Sequence, residues 1–137
     1  MQKYIRCHIV EAEPMTRGDY NKFRGWEIPA NENPADEGYK VVYPDGYVSW
    51  CPKAQFEAAG HLVETPIDRM IFEQDELQDR LSKLCAFMET EKFLSLTPAN
   101  RILLERQKAA MIEYRDVLDV RIEHMDFQKA ATAGCQA

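Results

Sequence analysis

Aromatic and cationic residues cluster in the second half of the chain at helical spacings. The aromatic members are Phe87 and Phe93, and the cations around and after them are Lys92, Arg101, Arg106, Lys108 and Arg115. A nucleotide needs a flat surface for its base and cationic N–H donors for its phosphates. The stretch supplies both, so it is a candidate nucleotide site. The same pattern also fits two core phenylalanines with cations on the surface, and the residues alone leave both interpretations open.

Two predicted helices position this stretch. Seven residues that step by three and four form an apolar seam with one polar member: Ile67, Met70, Gln74, Leu77, Leu81, Leu84 and Met88. Thr97 and Pro98 predict the start of a second helix, because a hydroxyl can cap it and proline needs no backbone N–H there. Its expected stripe is Leu104, Gln107, Met111, Tyr114, Leu118, Ile122 and Met125. The short connection predicts an antiparallel hairpin. Apolar residues off the seam favour a homo-oligomer.

The first half has the signals of a small β module. Residues 4–12 (YIRCHIVEA) predict a strand, and a long irregular segment follows, which Phe23, Trp26 and Ile28 would hold in place. Two β-rich runs around Pro44-Asp45-Gly46 predict a hairpin. Residues 49–59 predict a short helix, with Ser49 or Cys51 near its cap and Pro52 in its first turn. The predicted fold is therefore α+β, with a module at 1–63, a helical hairpin at 64–127 and a flexible tail at 128–137.

Composition excludes several classes of function. The net charge of −6 argues against binding duplex nucleic acid, and the absence of a long apolar run or signal layout predicts a soluble, cytosolic protein without a membrane partner. The cysteines and histidines lack metal-ligand spacing, so we expect no metal and no cofactor. Cys7 and Cys85 are expected to be core thiols. No catalytic signature is present, and we expect a protein that is not an enzyme.

Three segments resemble a known family of phage proteins. The segments "MTRGDYNKFRGWEIPANENPADEGY" and "DGYVSWCPKAQFEAA" resemble the N-terminal module of phage proteins that counter the bacterial Thoeris defence. The segment "LQDRLSKLCAFMETEKFLSLTPANRILLERQKAAMIEYRDVLDVRI" resembles the helical hairpin that these proteins share with the phage anti-CBASS sponge. The resemblance implies a sponge that binds a cyclic ADP-ribose isomer made by a TIR-domain sensor and holds it uncleaved, in the cytoplasm of the infected bacterium. It also implies a hexamer with pockets at subunit contacts, each closed on one side by the β module, and cyclic di- or trinucleotides as further ligands.

The resemblance also implies roles for individual residues. Phe87 and Arg115 fit the family's adenine sandwich, Asn100 fits a polar contact at the start of the second helix, and Arg24 of "FRGW" fits a phosphate or ribose contact. Cys51 stands where the family pattern predicts Ser. From charge and placement, Lys92, Arg101 and Arg106 are expected to line a second ligand site.

Two other classes of function stay open on the sequence. The first is a structural or interaction protein, in which the hairpin assembles the oligomer and the module docks a protein partner. The second is a phosphodiesterase that degrades the same signal, which needs a base or a metal that the sequence does not offer at a readable spacing.

Overall fold

The chain forms two compact units, Met1–Gly60 and His61–Ala137. The structure is a computed structural model that describes the backbone of residues 1–134 and the side chains of residues 1–126. The first unit is built around a small sheet and the second from helices, so the predicted α+β class is confirmed.

The sheet of the first unit has three antiparallel strands in the order β1-β2-β3. They are β1 (Glu11–Pro14), β2 (Gly38–Val42) and β3 (Val48–Pro52). The predicted hairpin is confirmed, with Val42 opposite Val48 at the closed end and Gly46 at a φ of 85° in the turn. Glycine is suited to this position because it adopts positive φ without a steric penalty.

Strand β1 is much shorter than the predicted strand at 4–12. Its first residue, Glu11, pairs with Val42, the last residue of β2. Beyond Val42 the chain enters the turn, where Tyr43 donates its N–H to the carbonyl of Tyr47. The residues before Glu11 therefore have strand-forming side chains but no neighbouring strand in their own chain.

A helix that the sequence analysis missed, α1 (Arg17–Arg24), lies in the segment predicted to be irregular. The Thr16 hydroxyl accepts a hydrogen bond from the Asp19 N–H, and Gly25 ends the helix at a φ of 69°. Both are ordinary capping signals. In the sequence, Gly18 was interpreted as a sign of irregular structure. The structure explains this glycine by packing, because a Cβ there would lie 2.8 Å from the Cβ of Pro34.

The short helix after the hairpin, α2 (Lys53–Ala59), begins later than predicted. Ser49 and Cys51 belong to β3, and Pro52 is the N-cap, with no side-chain cap bond. The predicted capping role of Cys51 is therefore wrong. Phe56 of α2 stacks on Tyr39 of β2 at 4.3 Å between ring centroids, which holds the helix to the sheet.

Polar side chains hold the long segment between α1 and β2. Arg17 donates two hydrogen bonds to the carboxylate of Glu32, and Asn21, which is buried, donates a third. These hydrogen bonds hold the pKa of Glu32 below its usual value, the bond from Arg17 having the larger effect. Phe23, Trp26 and Ile28, expected to hold this segment, all remain substantially exposed. The Trp50 indole N–H donates to the Met15 carbonyl at 2.8 Å and ties β3 to the residues between β1 and α1.

The second unit is a helical hairpin of α3 (Pro66–Met88) and α5 (Pro98–Gly134), with a short helix, α4 (Glu91–Leu94), in the connection. Thr65 and Asp68 form a capping box at the start of α3. All seven predicted seam residues of α3 are buried or half-buried, which confirms the seam. The predicted start of the second helix is also confirmed, since Thr97 accepts the N–H of Asn100.

The buried stripe of α5 differs from the prediction at two positions. Lys108 and Arg115 are half-buried, whereas Gln107 and Tyr114, which were expected there, are exposed. The sequence analysis favoured the uncharged residue at each step. Lysine and arginine can nevertheless lie in such a stripe, because their aliphatic stems cover apolar surface while the charged ends reach solvent.

Two further expectations concern the cysteines and the tail. Cys85 is half-buried, but Cys7 is exposed, so its prediction as a core thiol is wrong. Cys7 has no core to enter because the residues around it do not pair with the sheet. Cys135 and the whole predicted flexible tail at 128–137 lie outside the residues whose side chains are described, and the backbone of helix α5 extends to Gly134.

Candidate functional site

The two phenylalanines at the loop end of the hairpin differ in exposure. Phe93 of α4 is buried, and Phe87, one residue before the end of α3, is half-buried. Their rings meet edge to face, 6.2 Å apart between centroids. Phe93 is therefore a core residue, as expected if the phenylalanines belong to the core. Phe87 keeps part of its ring surface available to a ligand.

The start of α5 lies at the same end of the hairpin. Thr97 accepts from the Asn100 N–H at 3.3 Å, and its carbonyl accepts from the Arg101 N–H at 3.0 Å. Asn100 itself is exposed. The first N–H groups of a helix favour anions, because they lack intrahelical partners and carry the positive end of the helix dipole.

Three cations surround this end of the hairpin without a fixed counterion. Among the described residues, none forms an ion pair with Lys92, Arg101 or Arg106. Arg101 is also unusual because its Nε is buried and has no hydrogen-bond partner in the described part of the chain. A buried unsatisfied donor is costly, and an anion or a water molecule at this position would satisfy it.

Arg115 lies elsewhere along the hairpin. Its guanidinium donates to the neighbouring carboxylate of Asp116 at 3.1 and 3.2 Å and reaches Gln78 of α3 at 3.5 Å. Its side chain is 32% exposed. Phe87 is nine residues beyond Gln78 on α3, which corresponds to about 14 Å of helix. One chain therefore does not bring Phe87 and Arg115 together.

Hydrogen bonds between the two helices fix their alignment. Gln74 donates to Asp119, in step with the contact between Gln78 and Arg115. Extending that alignment by nine residues toward the loop places Phe87 level with Arg106, and the same count from the hydrogen bond that Tyr114 donates to Glu73 places it level with Asn100. Phe87 therefore lies alongside residues 100–106 of α5, which include Arg101 and Arg106, and Lys92 belongs to the connecting helix α4. In the sequence, Phe87 and these three cations were assigned to separate sites.

A third interhelical hydrogen bond joins Tyr114 of α5 to Glu73 of α3. The Tyr114 hydroxyl donates to the carboxylate of Glu73, and this bond raises the pKa of Tyr114 above its usual value.

Gln74 was noticed in the sequence only as a polar interruption of the seam. A polar residue at such a position commonly fixes register, and this signal could have predicted its partner on α5.

Arg24, the remaining predicted contact, belongs to the first unit. Its guanidinium lies 4.8 Å from the ring centroid of Trp26 and 6.0 Å from that of Tyr20. It forms no ion pair with any residue in the described range. This position beside two rings suits either a packed surface cation or a phosphate contact.

An open groove of about 510 Å³ runs along α5, and none of the predicted site residues lines it. Its lining residues are Ala109, Ile112, Glu113, Asp116, Val117, Val120 and Arg121. Val117 and Val120 are 50% and 64% exposed. Because one helix supplies every lining residue, the groove is an apolar helix face with acidic margins rather than an enclosed pocket.

The described residues contain neither a metal-ligand group nor a membrane-spanning helix. No group of three or more His, Cys, Asp or Glu residues in this range could hold a metal ion. No helix in the same range is long and apolar enough to cross a membrane.

Comparison with known proteins gives a family match for the second unit only. Residues 64–124 match the family model named Sequestin, which covers the hairpin and less than half of the chain. No curated protein and no solved structure matches the chain. The hairpin is thus similar to a family whose name denotes sequestration of a ligand.

Proposed function

We propose that this protein sequesters a cyclic nucleotide signal and releases it unchanged. The observation that carries the proposal is the Sequestin match over 64–124, because that segment contains Phe87, Asn100 and the unpaired cations. The ligand class follows from the resemblance described above: a cyclic ADP-ribose isomer made by a TIR-domain sensor. In an infected bacterium, such a sponge would prevent the Thoeris effector from receiving its signal.

The loop end of the hairpin has the chemistry that such a ligand requires. Phe87 offers an aromatic surface on which adenine can stack. Arg101 offers a buried N–H without a partner among the described residues, and Lys92 of α4 and Arg106 of α5 add two cations at the same end of the hairpin. Cyclic ADP-ribose isomers carry two phosphates, and charge-assisted hydrogen bonds to phosphate are stronger than neutral ones. These contacts support binding of a compact dianion despite the acidic net charge of the chain.

The position of Arg115 supports a pocket shared between copies. Because Phe87 and Arg115 are about 14 Å apart along one hairpin, a base held between them requires the Arg115 of a second copy. The exposed apolar face of α5 supports such assembly, since a monomer would leave Val117 and Val120 in water. We propose a homo-oligomer, a hexamer by family resemblance, in which Asn100 and Arg24 make further polar contacts to the ligand.

The proposed mechanism is binding without catalysis. A sponge must bind well below the signal concentration that activates the effector, and each tenfold gain in affinity requires about 1.4 kcal/mol of binding free energy. Cyclic di- and trinucleotides share the same phosphate and base chemistry, and we propose them as further ligands of Lys92, Arg101 and Arg106.

A capture-and-release experiment tests this function. The purified chain is incubated with the products of a TIR-domain enzyme, the filtrate is analysed by mass spectrometry, and the protein is then heat-denatured and the released material analysed. We expect the signal to disappear from the filtrate and to return with unchanged mass and retention time. Return of an altered product would instead show an enzyme, and signal that never leaves the filtrate would contradict the proposal.

The second candidate function is a non-catalytic interaction protein that docks a host protein. The observation that favours it is the exposed apolar face of α5. The two functions differ in their dependence on Phe87. Loss of small-molecule uptake in Phe87→Ala with assembly intact would exclude the docking function, and unchanged uptake would exclude Phe87 from the ligand site.

A further inference from the structure

The segment before β1 has the sequence of a strand but no strand to pair with. Residues 4–10 read YIRCHIV, which is rich in β-branched and aromatic side chains. The sheet stops at Glu11 because its partner strand β2 ends at Val42. Tyr4, Ile5 and Ile9 are consequently 79%, 93% and 75% exposed. Three large apolar side chains within six residues are thus left in water.

The backbone of this segment is equally incomplete. β1 is an outer strand of the sheet, and the N–H and C=O groups of residues 3–10 have no backbone partner in the described part of the chain. Unpaired strand edges of this kind are templates for pairing with another chain. The ring of His8 lies 5.4 Å from that of Tyr43, between centroids, so the segment passes beside the end of β2.

The side chains of the segment match a second copy of the same segment. In an antiparallel pair centred on Cys7, residue i faces residue 14 − i of the other copy. Lys3 then faces Glu11, Tyr4 faces Val10, and Ile5 faces Ile9. Opposite charges, an aromatic residue with a β-branched one, and two β-branched residues are the favourable cross-strand pairs. Two-fold symmetry forms each of them twice.

Neighbouring registers lose this match. Shifting the pair by one residue places Tyr4 opposite Glu11 and Arg6 opposite Ile9. Shifting it by two places Ile5 opposite Glu11. Each shift removes the pairing of Lys3 with Glu11 and sets an apolar residue against a charge. The centred register is therefore favoured by both charge and hydrophobicity.

We propose that residues 3–11 form an antiparallel two-stranded ribbon with residues 3–11 of a second copy, with Cys7 at the two-fold axis. The occupant of the free edge is thus the chain itself. A two-stranded ribbon is marginal in water when isolated, so the contact is weak alone and strengthens where copies are already held close together. The proposal does not depend on the ligand proposed above.

Cys7 supplies the test, because the centred register places the two copies of this exposed, free thiol opposite each other. Directly opposed residues of antiparallel strands have Cβ atoms about 4.5–5.5 Å apart, close to the distance that a disulfide requires. The full chain is oxidised with copper phenanthroline, and the rate of disulfide-linked dimer formation is measured on non-reducing gels. We expect a Cys7 dimer that Cys7→Ser abolishes and that Cys51→Ser and Cys85→Ser preserve.

Charge reversal then tests the register. Lys3→Glu sets two carboxylates opposite each other at both ends of the ribbon, and we expect it to slow dimer formation about tenfold. Glu11→Lys alone should have a similar effect, and the double variant Lys3→Glu/Glu11→Lys should restore the original rate. Lys22→Glu, on the exposed surface of α1, controls for net charge and should change the rate less than twofold.

Three outcomes would overturn the proposal. They are the absence of a Cys7 dimer, a Cys7 dimer whose rate ignores Lys3→Glu, and a double variant that stays as slow as its single parents. Because the readout is cross-linking in the absence of nucleotide, each of these outcomes is distinguishable from a failure of the proposed ligand binding.

Discussion

The two units of the chain are stabilised by different kinds of contact. The first unit, up to Gly60, is held by specific polar and close-packed contacts, such as the hydrogen bonds of Arg17 and Asn21 to Glu32. The hairpin is held by an apolar seam, and it leaves apolar residues exposed on its outer face and cations unpaired at its loop end. From β1 onward, the polar contacts of the first unit pair within that unit, whereas the segment before β1 and the hairpin both present groups that have no partner in their own unit. The family match covers only the hairpin.

The largest expected difference lies between two adjacent residues of α5. Leu118 is fully buried in the seam and Val117 is 50% exposed on the outer face. We expect Leu118→Ala to lower the free energy of unfolding of the hairpin by about 2–5 kcal/mol. Val117→Ala should cost less than about 0.5 kcal/mol in the isolated monomer. Urea unfolding followed by circular dichroism measures both.

The same two residues also test whether the outer face of α5 is used for self-association. If the outer face is covered by a second copy, Val117→Ala should weaken assembly in analytical ultracentrifugation although it barely affects folding. An assembly that is indifferent to Val117 would show that this face is not used between copies.

The second prediction concerns the close packing of the first unit. A Cβ on Gly38 would lie 2.4 Å from the Trp50 ring, so Gly38→Ala must displace the indole from its hydrogen bond to Met15. We expect a loss of about 1–3 kcal/mol in the stability of this unit, measured by tryptophan fluorescence, because both tryptophans belong to it. Ser49→Ala on the neighbouring strand is the control. A red-shifted, unfolded spectrum with unchanged hairpin helicity would show that the two units fold separately.

A third prediction separates the aromatic ring of Phe87 from its bulk. Phe87→Leu retains an apolar side chain beside Phe93 but removes the flat surface for a base. Since base–aromatic stacking contributes about 1–3 kcal/mol by substitution, we expect a loss of affinity for the captured signal of roughly tenfold or more. Phe72→Leu, at another partly exposed position of α3, should leave the affinity unchanged. Equal losses in both variants would point to a general effect on the helix.

The smallest expected effect is a pH dependence confined to the first unit. Hydrogen bonds from Arg17 and Asn21 lower the pKa of Glu32 in the folded state. A lowered folded pKa means that this stabilisation is present above the unfolded value of 4.5 and is lost as the pH falls through the folded pKa. Stability measured by tryptophan fluorescence should therefore decline below about pH 4.5, and Glu32→Gln should flatten that decline. A hairpin whose helicity follows the same pH profile would contradict the assignment to one unit.

Local sequence patterns, namely helical periodicity, capping residues and turn residues, were the reliable guide to the fold. The seam of α3, the start of α5 at Thr97 and Pro98, and the hairpin around Gly46 all follow from local sequence. The errors arose where tertiary context decided the outcome. Glycine at position 18 masked a capped helix because its packing against Pro34 is not visible in the sequence. The strand at 4–12 was overestimated because strand length depends on a partner, and β2 ends too soon to supply one.

The candidate site was predictable in residue type but not in grouping. Phe87, Lys92, Arg101 and Arg106 were recognised together from residue type and spacing, yet Phe87 was then assigned to the site implied by the resemblance and the three cations to a second site. Helix alignment determines which residues are neighbours, and it is fixed by contacts such as that between Gln74 and Asp119, which span 45 residues. Arg115 was expected beside Phe87, and only the three-dimensional alignment shows that one chain separates them.

Hydrogen–deuterium exchange with and without the captured signal tests the central claim most directly, namely that the loop end of the hairpin holds the ligand. We predict that the largest slowing of exchange falls within residues 87–106, where Phe87, the start of α5 and the unpaired cations lie. A smaller effect is expected around Arg24. Slowing confined to residues 1–60, with exchange in the hairpin unchanged, would contradict this account.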